Sequence, residues 1–370
     1  MNGTFGFTGL ERLRTRLVTL DRNTKVISAV GLSLLSALVA TFLVAPGAAL
    51  SVGGFSIDQF VLLELAFVAF VLAGLVLDEG NTVKFLLFVT TISTVLILGF
   101  ITVYLIDNAV PVVREMGAYL LTGSDPYWET NEENAAYSLV PMMWGTLVTT
   151  VIATLVAAPL GVAGAVFISE LAPDWAREIV KPAIEMLAGI PSIVYGFIGF
   201  EIVSRYMTEQ LSLPTYGSLI VVGIVIGLMA LPTVVSVAED AIASVPGSMK
   251  DGAHALGATD WQTTTSVTLP ASFSGVSAAI LLGVGRAVGE TMAATVILAN
   301  VVSLPEPLVD VFGSTITLTS LIADQYGNAT GMHLSALFAA GVLLFVTVMA
   351  LSVGSQFIER RMQRKLGGER

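Results

Sequence analysis

The sequence predicts an all-α polytopic membrane protein, and three observations carry that expectation. Of 370 residues, 55% are hydrophobic and only 12% charged, with a mean hydropathy of +0.84, so the charges are too few to solvate a soluble body of this length. Apolar runs long enough to cross about 30 Å of hydrocarbon as helices recur along the chain. The short alternating segments of a transmembrane β-barrel are absent from the sequence.

Eight spans are expected, at about 25–46, 58–77, 83–106, 140–167, 181–204, 216–236, 275–299 and 333–356, each mainly apolar and bounded by polar residues. The first follows the polar leader 1–24 and is too long for the apolar core of a cleaved signal peptide. Pro191 and Pro232 fall inside expected spans and free backbone groups that lipid cannot satisfy, so those bends should face protein or a cavity. Each is either a point of flexing for a gate or a plain kink.

Orientation follows from Lys and Arg. With the N-terminus inside, the basic residues from Arg12 to Lys25, Lys84, Arg177, Lys181, Lys250 and those from Arg360 to Arg370 fall inside. Arg114 and Arg205 fall outside and Arg286 lies within a span, which places both termini in the cytoplasm of a multi-pass cell-membrane protein. The outer segment Asp107–Leu139 is acidic and turn-rich, and the inner segment Glu239–Pro270 is too polar to span. Net charge is −11, which fits either a halophilic host, whose salt screens carboxylate repulsion, or ordinary acidic drift.

Several chemistries are excluded or disfavoured. Without cysteine there is no disulfide, thiolate catalysis or Cys-based metal site, and His254 and His333 stand far apart with no ligand-like neighbours. No GxxxxGK[ST] loop occurs, so any ATP hydrolysis belongs to another polypeptide. The expectation is no cofactor, no metal and no nucleic-acid partner.

The inner segment "DGAHALGATDWQTTTSVTLP" reads as a short helix holding Ala253, Ala255 and Leu256, a break at Gly257, and a second helix from Thr259 to Leu269-Pro270. By itself this is either a docking element or a structural hairpin. Its spacing resembles the EAA signature of ABC-importer permeases, carried here by Asp251, Gly252 and Ala253, then Gly257, then Val267, Leu269 and Pro270. Asp251 and Gly252 depart from the usual Glu and Ala. The resemblance implies that this loop couples the chain to a separate ATPase.

The blocks "PMMWGTLVTTVIATLVAAPLGVAGAVFISE", "EMLAGIPSIVYGFIGF", "LPTVVSVAEDAIASVP" and "GRAVGETMAATVILAN" resemble, in order, those of phosphate-importer permeases of the PstC type, with the PstA type the alternative. The resemblance covers about 83–356. It implies a type I ABC-importer permease core of six transmembrane helices, with two extra N-terminal transmembrane helices outside it. The expected domains are an N-terminal extension, 1–80, and the permease domain, 81–370, with its coupling loop at 239–270. Implied partners are a PstA-type second permease, a PstB-type ATP-binding dimer, a PstS-type extracellular phosphate-binding protein and the lipid membrane. The coupling signature alone also suits a permease for molybdate, sulfate or tungstate. An ion-coupled secondary transporter would use acids such as Glu64 and Glu201, but no internal repeat is evident and the loop signature would go unexplained.

Arg286 and Glu290 lie four residues apart in an apolar run, a spacing that puts them on one helical face where they can pair. Charges at mid-bilayer need a partner or a water-filled cavity, so the two are either a structural salt bridge or part of an anion path. Arginine offers planar donors that match phosphate oxygens, and a neighbouring carboxylate limits how tightly an anion is held. The family resemblance assigns both to transport. Thr291 would donate to the anion or bond back within its helix. Gly285 and Gly289 show the GxxxG spacing of close helix packing.

Overall fold

The computed structural model describes residues 30–31, 33, 49–52, 55–131, 134–211 and 216–365. The expected span 25–46 lies almost wholly outside them, as do the basic leader residues and Arg370. The chain folds as two units, Met1–Ile101 and Thr102–Arg370.

In the first unit, strands β1 (Ala49–Val52) and β2 (Phe55–Asp58) pair antiparallel, and β2 runs straight into helix α1 (Gln59–Leu77). Asp78 ends α1 and starts α2 (Glu79–Met116): its carboxylate accepts from the Asn81 backbone N–H (3.3 Å) and from Asn81 Nδ2 (2.8 Å). A carboxylate there satisfies free N–H groups and sits at the positive end of the helix. Gly74 makes room for Thr82 at this turn.

Helix α2 has 38 residues, about 57 Å at 1.5 Å per residue, and so overshoots the expected span 83–106 and takes in the first part of the segment expected as an outer loop. The reason is packing within the second unit, where Ala109 and Val112 are buried in a cluster with Leu337 and Ala340. Pro111 interrupts the ladder there. The Ser335 hydroxyl inserts at that point, accepting from Val112 N–H (3.1 Å) and donating to Asn108 C=O (2.7 Å).

After a small hairpin, β3 (Trp128–Glu129) with β4 (Ala136–Tyr137), the membrane core begins. Its spine is α3 (Val140–Leu171), α6 (Leu219–Ala243) and α8 (Asp260–Gly289). Between α3 and α6 comes α4 (Asp174–Ala188) followed by α5 (Ser192–Gln210), meeting at 91°. The expected straight span 181–204 is therefore bent, because Gly189-Ile190-Pro191 cannot continue a helix: Pro191 has no N–H and disfavours helical geometry before it. Pro232, by contrast, is buried inside the unbroken α6 and marks no interruption.

Between α6 and α8 lies α7 (Gly247–Ala255), and after α8 come the short α9 (Met292–Ile297), α10 (Leu318–Gln325) and the long α11 (Gly331–Lys365). Among the described residues five helices are long and apolar enough to cross a membrane, or six if the bent pair counts as one span. The protein is a multi-pass, all-α membrane protein.

Helices associate in lipid through close packing rather than the hydrophobic effect, so the seams are built from small residues. Gly223 and Gly227 on α6 face Ile152 and Val156 on α3; a Cβ at either glycine would meet those Cβ atoms at 2.5 and 2.8 Å. On α8, Gly275, Ala279, Gly283 and Ala287 form a stripe against α6, with Gly275 on Ala241 and Gly283 on Val234.

Gly283→Leu should therefore lower stability by about 1–3 kcal/mol, since its Cβ would meet Val234 Cγ2 at 2.5 Å. Gly285→Ala meets nothing within 4 Å and should hold or raise it, by up to roughly 1 kcal/mol of helix propensity. Thermal unfolding of the detergent-solubilised chain checks the contrast. Equal losses at both positions would refute the packing assignment.

Candidate functional site

The face of α8 opposite its glycine seam is uncovered. Leu282, Gly285, Arg286 and Gly289 are exposed along it at helical spacing, and a Cβ at Gly285 or Gly289 would meet nothing within 4 Å. The GxxxG pair singled out in the sequence thus contacts no other element among the described residues; the pair that closes a seam within the chain is Gly223/Gly227. GxxxG specifies a flat face, not the partner that fills it. The repeat of small residues every fourth position from Gly275 to Ala287 was the signal for the α8 seam.

Arg286 makes no hydrogen bond and no ion pair among the described residues. The expected pairing with Glu290 does not form, because α8 ends at Gly289 and Glu290 is extended (φ −68°, ψ 126°), off the helical face. Its carboxylate turns instead to α9, where Oε1 accepts from Ala293 N–H at 3.2 Å. A carboxylate at a helix start gains both a hydrogen bond and a favourable dipole, which competes with an exposed pair. Thr291 Oγ1 donates back to Gly289 C=O (3.2 Å). Thr319 Oγ1 donates to Glu290 C=O (2.7 Å) and pins the break from α10.

The second break packs beside the first. Gly196 and Gly199 of α5 lie against Ala293 and Ile297 of α9, so close that a Cβ at Gly196 would meet Ala293 Cα at 2.9 Å. Tyr195 spans the bend, its hydroxyl donating to Leu187 C=O at 3.0 Å. Tyr195 was not singled out in the sequence; its place one turn after Pro191 was the available clue. Non-helical backbone at membrane depth survives only against protein or a water-filled path, and an unpaired arginine makes the same demand.

Two larger recesses lie elsewhere. One of about 720 Å³, beside Val284 and Val288, is lined by apolar residues and threonines and offers no cation. The other, of about 660 Å³, is polar, with Glu115, Asn134, Tyr137 and His333 in its lining, at the end of the core opposite α7. Behind it, Gln325 Oε1 contacts both Trp128 Nε1 (2.9 Å) and Nε2 of the lining residue His333 (2.8 Å).

The loop end of the core is equally specific. Helix α7 carries Asp251 and Gly252, both exposed, and Ala253, half-buried. Gly257 turns the chain with φ +86°, a conformation that favours glycine. Thr259 and Gln262 close a reciprocal capping box that starts α8. The second helix does not stop at Leu269-Pro270 as expected. Thr264–Thr268 form a wider turn in which Leu269 N–H reaches Thr264 C=O, and the helix continues past the proline to Gly289. Leu269 is half-buried and Pro270 exposed. Leu256 (91% exposed) and Trp261 (61%) flank the turn, an apolar pair that the sequence reading did not single out.

Comparison with known proteins decides the family. Residues 157–364, more than half of the chain, match the family described as binding-protein-dependent transport system inner membrane component. The chain belongs to that family. Among its relatives, the phosphate transport system permease protein PstC of Haemophilus influenzae is 34% identical over 275 residues, 69% of this chain and 85% of that protein. PstC of Pasteurella multocida is 35% identical over 257 residues, 64% of this chain and 79% of that one. A bacterial alginate ABC transporter, solved with its alginate-bound periplasmic protein, superposes with a TM-score of 0.50 at 15% identity, over 77% of this chain and 98% of that chain. That likeness shows the fold. The permease is thus an ABC-importer membrane subunit of PstC type.

Because the permease has no cysteine, water access along α8 can be read by single replacements. Arg286→Cys and Gly289→Cys should react with a membrane-impermeant thiol reagent, and Ala279→Cys, at a fully buried position, should not. Protection of Arg286→Cys in membranes would place that face against lipid or packed protein.

Proposed function

We propose that the permease carries inorganic phosphate through the membrane, and that Arg286 is the fixed cation of the path. The supporting observation is an arginine with no ion-pair partner among the described residues, on the uncovered face of a span that breaks four residues later beside a second broken span. The PstC names of its relatives supply the substrate class. A guanidinium offers two parallel donors to a phosphate oxygen pair, and Glu290, off the helix but adjacent in chain, keeps the local field from holding the anion too firmly. Thr291, bonded to Gly289 C=O, takes a supporting role at the break. Gly285 and Gly289 form the flat surface on which a PstA-type second permease closes the path.

Energy enters through a PstB-type ATPase dimer that docks on Asp251, Gly252, Ala253, Gly257, Leu269 and Pro270, with Leu256 and Trp261 filling an apolar recess of the partner. A PstS-type phosphate-binding protein delivers cargo at the opposite end of the core. Both termini lie in the cytoplasm in this arrangement, and the permease domain is 81–370 with residues 1–80 as an accessory extension. The acidic composition suits a halophilic host.

Labelled-phosphate uptake into vesicles holding the complete complex tests the path. Arg286→Ala should abolish uptake, Arg286→Lys should restore no more than roughly a tenth because the fork geometry is lost, and Glu290→Gln should impair less than Arg286→Ala. Wild-type uptake by Arg286→Ala would remove the arginine from the path, and competition by molybdate or sulfate equal to that by phosphate would reassign the substrate.

Docking is tested separately. Asp251→Lys or Gly257→Trp should uncouple ATP hydrolysis from uptake while the chain still inserts, since charge reversal or bulk spoils a close complementary surface. Normal coupling in both would make the loop a structural hairpin.

A further inference from the structure

Helix α7 has nine residues and none of them is buried, so apolar packing does not hold it to the core. Among the described residues one side-chain ion pair ties it to the helices beyond the loop. Lys250 Nζ lies 2.7 Å from Glu170 Oε1, with Lys250 24% and Glu170 10% exposed. Glu170 stands in the wide last turn of α3, and that turn is itself clamped: Arg177 donates from Nε to Ile168 C=O and from Nη2 to Ser169 C=O, each at 2.9 Å. The Ser169 hydroxyl also reaches Glu170 Oε1 at 3.2 Å. An acceptor held this rigidly passes on the displacement of its partner.

At its other end α3 grips the segment that controls the break in α8. The Thr146 hydroxyl accepts from Leu318 N–H at 3.0 Å, and Gly145 lies directly against Ile316 C=O. One residue beyond Leu318, Thr319 holds Glu290 C=O at 2.7 Å. A series of hydrogen bonds joined by the continuous helix α3, which has Pro159 in its interior, thus runs from Lys250 to the backbone of Glu290, four residues from Arg286. Nothing comparable leaves α7 by any other side chain among the described ion pairs except His254–Asp260, which stays within the loop at 3.8 Å.

We propose that the Lys250–Glu170 ion pair is the strut by which movement of α7 shifts α3 and, through Thr146 and Thr319, the break at Glu290. Both are positioning residues for coupled transport. The inference rests on the reading of α7 as the ATPase-docking element. Coupling energies between sites commonly correspond to about 5–150-fold effects, which sets the scale of the expected loss.

The experiment uses the complete complex in vesicles, with ATP hydrolysis and labelled-phosphate uptake followed together. Lys250→Met and Glu170→Gln should each lower phosphate moved per ATP by roughly tenfold while the ATPase stays bound and active. Lys250→Arg should retain the ratio, and the exchanged pair, Lys250→Glu with Glu170→Lys, should recover much of it. A purely structural role would instead lower assembly and thermal stability without changing the ratio in the complexes that form. If Lys250→Met does not assemble, Glu170→Asp, which keeps the charge on a shorter stem, takes its place. Unchanged ratios in the single variants, or an exchanged pair no better than either, would overturn the proposal. Leu256→Asp separates the two readings: if it uncouples and Lys250→Met does not, the strut alone fails; if neither uncouples, the docking assignment itself fails.

Discussion

Backbone N–H and C=O groups in lipid must find partners inside the protein, and the structure of this permease depends on how it meets that demand where its helices stop. At the end of α8 the Glu290 carboxylate takes an N–H of α9 and the Thr319 hydroxyl takes the Glu290 carbonyl. At the bend between α4 and α5 the Tyr195 hydroxyl takes the Leu187 carbonyl. At Pro111 the Ser335 hydroxyl stands in the gap. Side-chain oxygens do this work at all three places because a hydroxyl or carboxylate carries its own donor or acceptor to the break and needs no water.

Satisfying the breaks locally frees Arg286. Had α8 continued, Glu290 would share its face at one-turn spacing and neutralise it. The extended residue instead commits the carboxylate to α9 and leaves the guanidinium without an ion pair among the described residues, on an exposed face. Small residues let α3, α6 and α8 approach closely, and the spine they form carries α7 between α6 and α8. Helix α7 has no buried residue and is tied to α3 by the Lys250–Glu170 ion pair.

Much of this was legible in the sequence, because transmembrane helices announce themselves by length and hydropathy. The spans expected at 140–167, 216–236 and 333–356 have counterparts in α3, α6 and α11, with soft ends. The break between the two helices of the 251–270 segment was readable at Gly257, which has a positive φ. Where reading failed, the cause was a competition that sequence does not weigh. Hydropathy continues through Glu290, but a helix end there gains a cap; Pro270 reads as a stop, but a wide turn absorbs its missing donor; Gly285/Gly289 and Gly223/Gly227 share one motif, and only packing distinguishes the glycines with a neighbour from those without.

The sequence by itself determined that the chain is a helical membrane protein with a charged pair in an apolar run and a polar segment between two spans, because composition and periodicity follow directly from the energetics of burial in lipid. Only the tertiary structure decided that the pair is split, that the two broken spans meet, and that Lys250 reaches Glu170 from 80 positions away in the chain. Those outcomes turn on which of several available partners each polar group finds, and that choice is made in space, between residues whose separation along the chain carries no information about their distance.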